Sequence, residues 1–247
     1  MTADALKGKT AVVTGGSRGI GWHIAAALCR AGAEVIITGR SEQTLAEAVR
    51  RLKDEGAVSP ESSGAGPHFV VCDQRDPEAV AALARQVTER FGAPDVLVNN
   101  AGLYKGGHVV DMPLATWNEV IETNLTGVFL TTQAFLPGMI ARNRGDIFLI
   151  SSMSGKKGDP GAAAYAASKF GLQGFAQSLT HEVRRHNIRV MVLNPSSVNT
   201  GADTGPREGP GLYLHAADLG ALIVALAALP GRTLVRDMDI WGTNPFK

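Results

Sequence analysis

Six short apolar runs recur along the chain, at residues 10–14, 34–38, 68–72, 95–99, 146–151 and 189–194. Most are continuous rather than alternating, which marks strands covered on both faces; such strands belong to parallel sheets flanked by helices. Between them lie stretches of helical period at 20–31, 41–56, 77–91, 116–143 (one helix or two), 162–186 and 216–229. Their ends carry stop and start chemistry. Asp76 precedes Pro77 as an N-cap before a first-turn proline, Ser41 can cap the second helix, and Gly32, Gly56 and Gly92 follow helices they end. A seventh strand is expected near 237–241. The pattern predicts an α/β fold, a doubly wound, mainly parallel seven-stranded sheet with helices on both faces, formed as one domain over residues 1–247. Two loops, 58–67 and 196–215, lack regular patterning, and the later one is expected to cover a substrate at the sheet's carboxyl edge.

Composition narrows the partners. Lys and Arg number 24 against 23 Asp and Glu, a net charge of +1, so no global field favours nucleic acid or an anionic membrane. The longest apolar run, 221–229, has nine residues, far short of the ~20 a spanning helix needs. No secretory signal pattern is visible in residues 1–10, which makes the cytoplasm the expected location. Cys29 and Cys72 fall in a helical and a strand pattern and suit buried, reduced thiols. Glycine is the outlier, 29 of 247 residues.

One cluster of glycines explains itself. The first strand runs into Gly15-Gly16-Ser17-Arg18-Gly19-Ile20-Gly21 and then a helix. A strand, a glycine turn and a helix N-terminus form an anion site, since glycine lets backbone approach a pyrophosphate and the helix offers unpaired N–H groups and its positive dipole end. The spacing is G-x-x-x-G-x-G rather than the G-x-G-x-x-G of the Rossmann dinucleotide fold, so by itself the turn is compatible with that fold and equally with an ordinary glycine turn. The same residues satisfy G-x-S-x-G, the hydrolase nucleophile elbow, but only fourteen residues precede Gly15 and no earlier strand exists to build an oxyanion hole. Ser17 is therefore read as a turn or phosphate-contacting residue. After the second strand, where NAD enzymes place a carboxylate for the ribose hydroxyls, stands Arg40; with Arg18 it offers a planar fork to a 2′-phosphate and points to NADP(H).

Tyr165 and Lys169 are four apart at the start of a helical stretch and so share one face, where an ammonium can stabilise phenolate. Taken with the glycine turn of 14–21, Asn99-Asn100-Ala101-Gly102, Asn124, Ser151-Ser152 and Asn194-Pro195, the order and spacing resemble the short-chain dehydrogenase/reductase family over nearly the whole chain, most of all its 3-oxoacyl-(acyl carrier protein) reductases. The resemblance implies that Ser152 orients a carbonyl, Tyr165 donates or accepts the proton, Lys169 contacts the nicotinamide ribose, and Asn124 holds a water in the proton relay. It further implies that Gly15, Ser17, Arg18, Gly19, Ile20, Gly21 and Arg40 bind the phosphates, Asp73 the adenine amino group, and Asn100, Ala101 and Gly102 the ribose. Pro195, Val198 and Thr200 would lie near the carboxamide, although Ser196 replaces the family's usual glycine there. Asn99 reads as a hydrogen-bonder between neighbouring strands.

The expected activity is hydride transfer between NADP(H) and a ketone or secondary alcohol, with a 3-oxoacyl thioester among the candidates. An NAD-dependent alcohol or sugar-alcohol dehydrogenase is the alternative enzyme, and a non-catalytic NADP(H)-sensing regulator the alternative class; a complete Asn124, Ser152, Tyr165 and Lys169 set argues against the latter. Family members pair the helices corresponding to 116–143 and 162–186, so a homodimer or homotetramer is expected. No metal site is expected, because His181 and His186 are five apart and do not share a helix face.

Overall fold

A computed structural model describes residues 4–55, 66–200 and 213–243. Most of the 58–67 loop and the glycine-rich centre of the 196–215 loop lie outside the described residues. Strands β1 (Thr10–Thr14), β2 (Glu34–Gly39), β3 (Pro67–Val71), β4 (Val96–Asn99), β5 (Gly145–Ile150) and β6 (Ile188–Pro195) alternate with helices α1 (Gly19–Arg30), α2 (Glu42–Asp54), α3 (Pro77–Phe91), α4 (Leu114–Ile121), α5 (Gly127–Ala141) and α6 (Ala163–Val183). Then come β7 (Val198–Asn199), β8 (Leu214–His215), α7 (Ala216–Ala227) and β9 (Asp237–Ile240). Seven strands form one sheet in the order β3-β2-β1-β4-β5-β6-β9, every neighbour parallel. The expected architecture is therefore observed, and the order reverses between β1 and β4, opening a crevice at their carboxyl ends.

Alternation decides which face each strand residue covers. Ala11 and Val13 point into a core shared with Trp22, Ile24, Leu28, Leu45 and Ile223, whereas Val12 points into the opposite core with Val80, Leu83, Phe135, Met139 and Leu172. Both faces are dry, which is why the strands read as continuous apolar runs. The caps are as the sequence implies: Ser41 Oγ accepts from Thr44 N at 3.4 Å, and Asp76 Oδ1 from Glu78 N at 2.9 Å.

At the amino edge, Arg189 and Asp146 form a buried bidentate pair, Nε to Oδ1 at 2.6 Å and Nη2 to Oδ2 at 2.7 Å. The same guanidinium donates to the carbonyls of Ala227, Leu229 and Thr233, so it also fastens the end of α7.

One feature resolves the one-or-two-helix alternative, and two depart from the sequence reading. The helical stretch 116–143 begins at Leu114 and is divided by a π-turn at Glu122–Thr126. Asn99 does not bridge strands; its Nδ2 donates to Thr132 Oγ1 on α5 at 3.1 Å, because the residue ends β4 with its side chain on the helix-covered face. Ser196 needs no glycine-like backbone: it has no positive φ, and its N–H continues the sheet by donating to Ile240 O at 2.8 Å.

Candidate active site

A cavity of about 410 Å³ occupies the crevice. Its floor is the glycine turn, and two hydroxyl and amide groups lock that turn to β4. Thr14 Oγ1 accepts from both Asn100 N and Ala101 N at 3.0 Å, while Asn100 Nδ2 donates to Thr14 O at 2.9 Å and Gly15 O at 3.2 Å. Cross-strand bonding thus belongs to Asn100, the neighbour of the residue expected to do it. Gly15 has φ +65° and a Cβ there would stand 2.8 Å from Ala101 Cα; a Cβ on Gly21 would collide with the Gly15 carbonyl and Asn100 Nδ2. Only glycine gives this close approach.

Helix α1 has no side-chain cap hydrogen bond and no acid in its first turn, so main-chain donors of Gly19, Ile20 and Gly21 open onto the cavity. Ser17, Arg18, Arg40, Asn100, Ala101, Gly102 and Thr200 also line it. Thr200 arrives from beyond β7 to lie 3.6 Å from where a Gly19 Cβ would stand. The glycine cradle, the uncapped helix and the arginines suit a dinucleotide pyrophosphate carrying further negative charge.

Asp73 lines the same cavity, but both its oxygens are held by Arg75, Nε at 3.0 and 3.1 Å and Nη2 at 2.6 Å, and Oδ1 accepts Arg75 N at 3.0 Å. Those hydrogen bonds hold its carboxyl below the usual carboxylate range. Arg75, Gln74, Cys72, Leu103 and Thr123 line the cavity too and were not foreseen, since only the approach of the β3 loop to the π-turn brings them there. Pro195 is buried at the end of β6, and Val198 packs in β7 against the core; neither lines this cavity.

The chemistry-bearing side chains gather farther along the carboxyl edge. Ser152 follows β5 and caps a 3₁₀ turn at Met153–Gly155, its Oγ accepting from Ser154 N at 3.1 Å, which leaves the hydroxyl hydrogen to donate elsewhere. Tyr165 lies in the first turn of α6, with Ser152 close enough to favour its ionised form. Burial nonetheless raises the Tyr165 pKa above the ordinary phenol value, and Tyr104, edge-to-face at 5.2 Å between centroids, adds to the rise. Desolvation thus outweighs the Ser152 hydrogen bond at the phenol.

Lys169 is 5% exposed and lies 5.6 Å from the Tyr165 ring centroid. Its Nζ donates to Ile150 O at 2.7 Å rather than to the phenol. With no carboxylate beside it among the described residues, burial pushes its pKa down to about 8. Asn124 is fully buried in the π-turn: Oδ1 accepts from Leu103 N at 2.8 Å, and Nδ2 donates to Leu103 O at 2.9 Å and Ser168 Oγ at 3.1 Å. Ser168 Oγ in turn donates to Tyr165 O at 2.7 Å. Both amide hydrogens of Asn124 are thus committed to fixing the loop after β4 and the first turn of α6.

The short chain dehydrogenase family model matches residues 9–210. The 3-oxoacyl-(acyl carrier protein) reductase of Vibrio cholerae is 36% identical over 195 residues, 79% of this chain and 75% of its own length. The Escherichia coli protein of the same name is 38% identical over 195 residues, with equal coverage. Among solved structures, an actinorhodin polyketide ketoreductase with NADPH superimposes with a TM-score of 0.84 at 30% identity, covering 99% of each chain. A metagenomic short-chain oxidoreductase in complex with NADP gives 0.81 at 34% identity, over 96% of this chain and 97% of its own. The chain belongs to the short-chain dehydrogenase family of oxidoreductases, enzymes acting on CH–OH and C=O groups.

Proposed function

We propose that the protein is an NADP(H)-dependent ketone reductase, with 3-oxoacyl thioesters among its substrates. The observation that carries this reading is the grouping of Ser152 and Lys169 about Tyr165, the one hydrogen-bonded to its hydroxyl and the other 5.6 Å from its ring; the crevice cavity lined by the glycine turn, Arg18 and Arg40 supports the cofactor half of it. Bound NADPH would supply hydride to a carbonyl carbon. Charge then develops on the carbonyl oxygen; Ser152 donates a hydrogen bond to it, and Tyr165 delivers the proton from its hydroxyl. Lys169, one helical turn on, favours the phenolate that this transfer leaves behind. Asn124 keeps the loop carrying Leu103 and the main chain of Tyr165 in register. In the cofactor cavity, Gly15, Gly19, Ile20 and Gly21 bind the pyrophosphate, Asn100 to Gly102 the ribose, Asp73 and Arg75 the adenosine end, and Thr200 the far side.

The relatives named as reductases and the NADP-bound neighbour support this reading over an NAD-dependent alcohol dehydrogenase, as does a second-strand terminus with Arg40 where NAD would call for a carboxylate. Exposed Phe129 and Phe170 on α5 and α6 support a homodimer or homotetramer built on those helices; Phe175 packs against Phe129 and Leu179 is core. Two buried thiols held protonated, Cys29 at about 12 and Cys72 at about 11, fit the reducing cytoplasm.

The test is Tyr165→Phe. General acid catalysis contributes ~10²–10⁴-fold, so ketone-dependent NADPH oxidation should fall by at least about 10²-fold while NADPH binding is kept. Retained turnover removes Tyr165 from the acid role. Tight NADPH binding with no turnover of any ketone by the unmodified protein favours a sensing regulator.

A further inference from the structure

The π-turn poses a question of main-chain hydrogen bonding. In an uninterrupted α-helix the Gly127 N–H donates to the Thr123 carbonyl; here it reaches back to Glu122 instead. The Thr123 carbonyl is thereby without the Gly127 donor it would have in an α-helix. Gln74, from the loop after β3, supplies one: Nε2 donates to Thr123 O at 2.6 Å and, with its other hydrogen, to Ala101 O at 3.3 Å. Gln74 is 7% exposed, and its Oε1 is buried with no hydrogen-bond donor among the described residues. Leaving that oxygen unsatisfied costs stability that a Met of similar size would not cost, so packing alone does not account for an amide at this place. Gly127 makes the room, since a Cβ there would stand 2.7 Å from Gln74 Cγ.

We infer that Gln74 is a positioning residue for proton transfer: its amide replaces the missing helical donor and holds the π-turn, and with it Asn124, in place. From Asn124 the line continues through Ser168 Oγ to the main chain of Tyr165. Through Ala101, which lies directly beneath Gly15, the same amide also bears on the floor of the dinucleotide cavity. One side chain therefore fastens the cofactor floor and the catalytic helix to a common point. The clamp rests on geometry alone, and its consequence for turnover rests on the reductase reading.

Three variants test it. Gln74→Met keeps the volume and removes the donor; since a displacement of about 1 Å in positioned groups can cost on the order of 10²-fold in rate, kcat for ketone reduction at saturating NADPH should fall about tenfold or more. Gln74→Glu can donate to Thr123 O only as the neutral acid, whose pKa burial raises, so its kcat should recover as pH is lowered and be lost as pH rises. Gly127→Ala pushes the side chain from the other side, and combined with Gln74→Met its effect should be markedly less than additive. Amide exchange in residues 122–128 should be faster in Gln74→Met than in the unmodified protein. Wild-type kcat in Gln74→Met overturns the inference, as does a pH profile of Gln74→Glu that parallels the unmodified enzyme. If the unmodified protein reduces no ketone, the reductase reading fails, and the exchange measurement still decides the clamp: unchanged rates in 122–128 refute it.

Discussion

Replacing Lys169 by Met should stabilise the cofactor-free protein while removing its activity. The ammonium is 5% exposed and is compensated by one carbonyl, Ile150 O, at 2.7 Å. Its pKa falls from the ordinary 10.5 to about 8, and at 1.36 kcal/mol per unit the charged lysine costs the fold about 3 kcal/mol at pH 7. Methionine removes that cost but takes a donor from a buried carbonyl, worth ~1 kcal/mol, so the variant should be more stable by about 2 kcal/mol. The sign with pH follows from linkage. Between about 8 and 10.5 the unfolded chain binds the lysine proton and the folded one does not, so this group makes the wild type more stable as pH rises through that window. Below about 8 both states are protonated and the cost is constant. The advantage of the variant should therefore shrink by about 1 kcal/mol from pH 7 to 9 and by about 1 kcal/mol more by pH 10. Cys29 and Cys72, raised to about 12 and about 11, act in the opposite sense above pH 9, where unfolded thiols ionise; they are common to both proteins and cancel in the difference. Urea unfolding of both proteins at the three pH values, without cofactor, measures it. A less stable Lys169→Met at pH 7, or a gap that does not change with pH, refutes the account of a costly buried charge.

Other outcomes follow from the same geometry. Arg189→Met leaves Asp146 buried without its partner and should cost about 3–5 kcal/mol at pH 7, a cost that shrinks as pH falls because burial already raises the carboxyl; a urea-derived loss below about 1 kcal/mol contradicts this. Arg40→Asp should reverse the cofactor preference from NADPH to NADH in fluorescence titrations at fixed salt, and equal affinities in the unmodified protein count against the arginine fork. Tyr104→Ala uncovers Tyr165 and should move the pH at which the phenol ionises downward, read from the pH dependence of kcat; an unmoved profile shows that Tyr104 does not contribute to the desolvation.

The fold was legible because its signals are local. Continuous apolar runs, Asp76 before Pro77 and the glycine turn each depend on a few neighbouring residues, and the strands begin and end within about two residues of where the pattern puts them. The π-turn was not legible: a single extra residue barely disturbs the helical period across 116–143, and the compensating donor, Gln74, comes from 49 residues away. Arg75 was missed for a related reason, since its role depends on chelating Asp73 at the cavity wall. Tyr165 and Lys169 were legible as a pair by spacing, but not the sign of the phenol shift. Spacing reports who faces whom, whereas desolvation depends on what the assembled fold lays over them, here Tyr104 and the end of β5.

Strand β5 shows how stability and chemistry are kept apart. At its amino end Asp146 meets Arg189 in a two-point pair, and the remaining guanidinium donors find carbonyls at the end of α7. That charge is buried but satisfied, so removing either partner costs more than the pair itself contributes. At the carboxyl end Ile150 O meets Lys169, a buried charge with no carboxylate beside it among the described residues. A carboxylate there would restore the ordinary lysine pKa and fix the ammonium, but it would also cancel the positive field that a phenolate at Tyr165 requires. On the proposed reductase reading, the lysine is left under-compensated where charge would develop during turnover, and the strand carries its saturated ion pair at the opposite end.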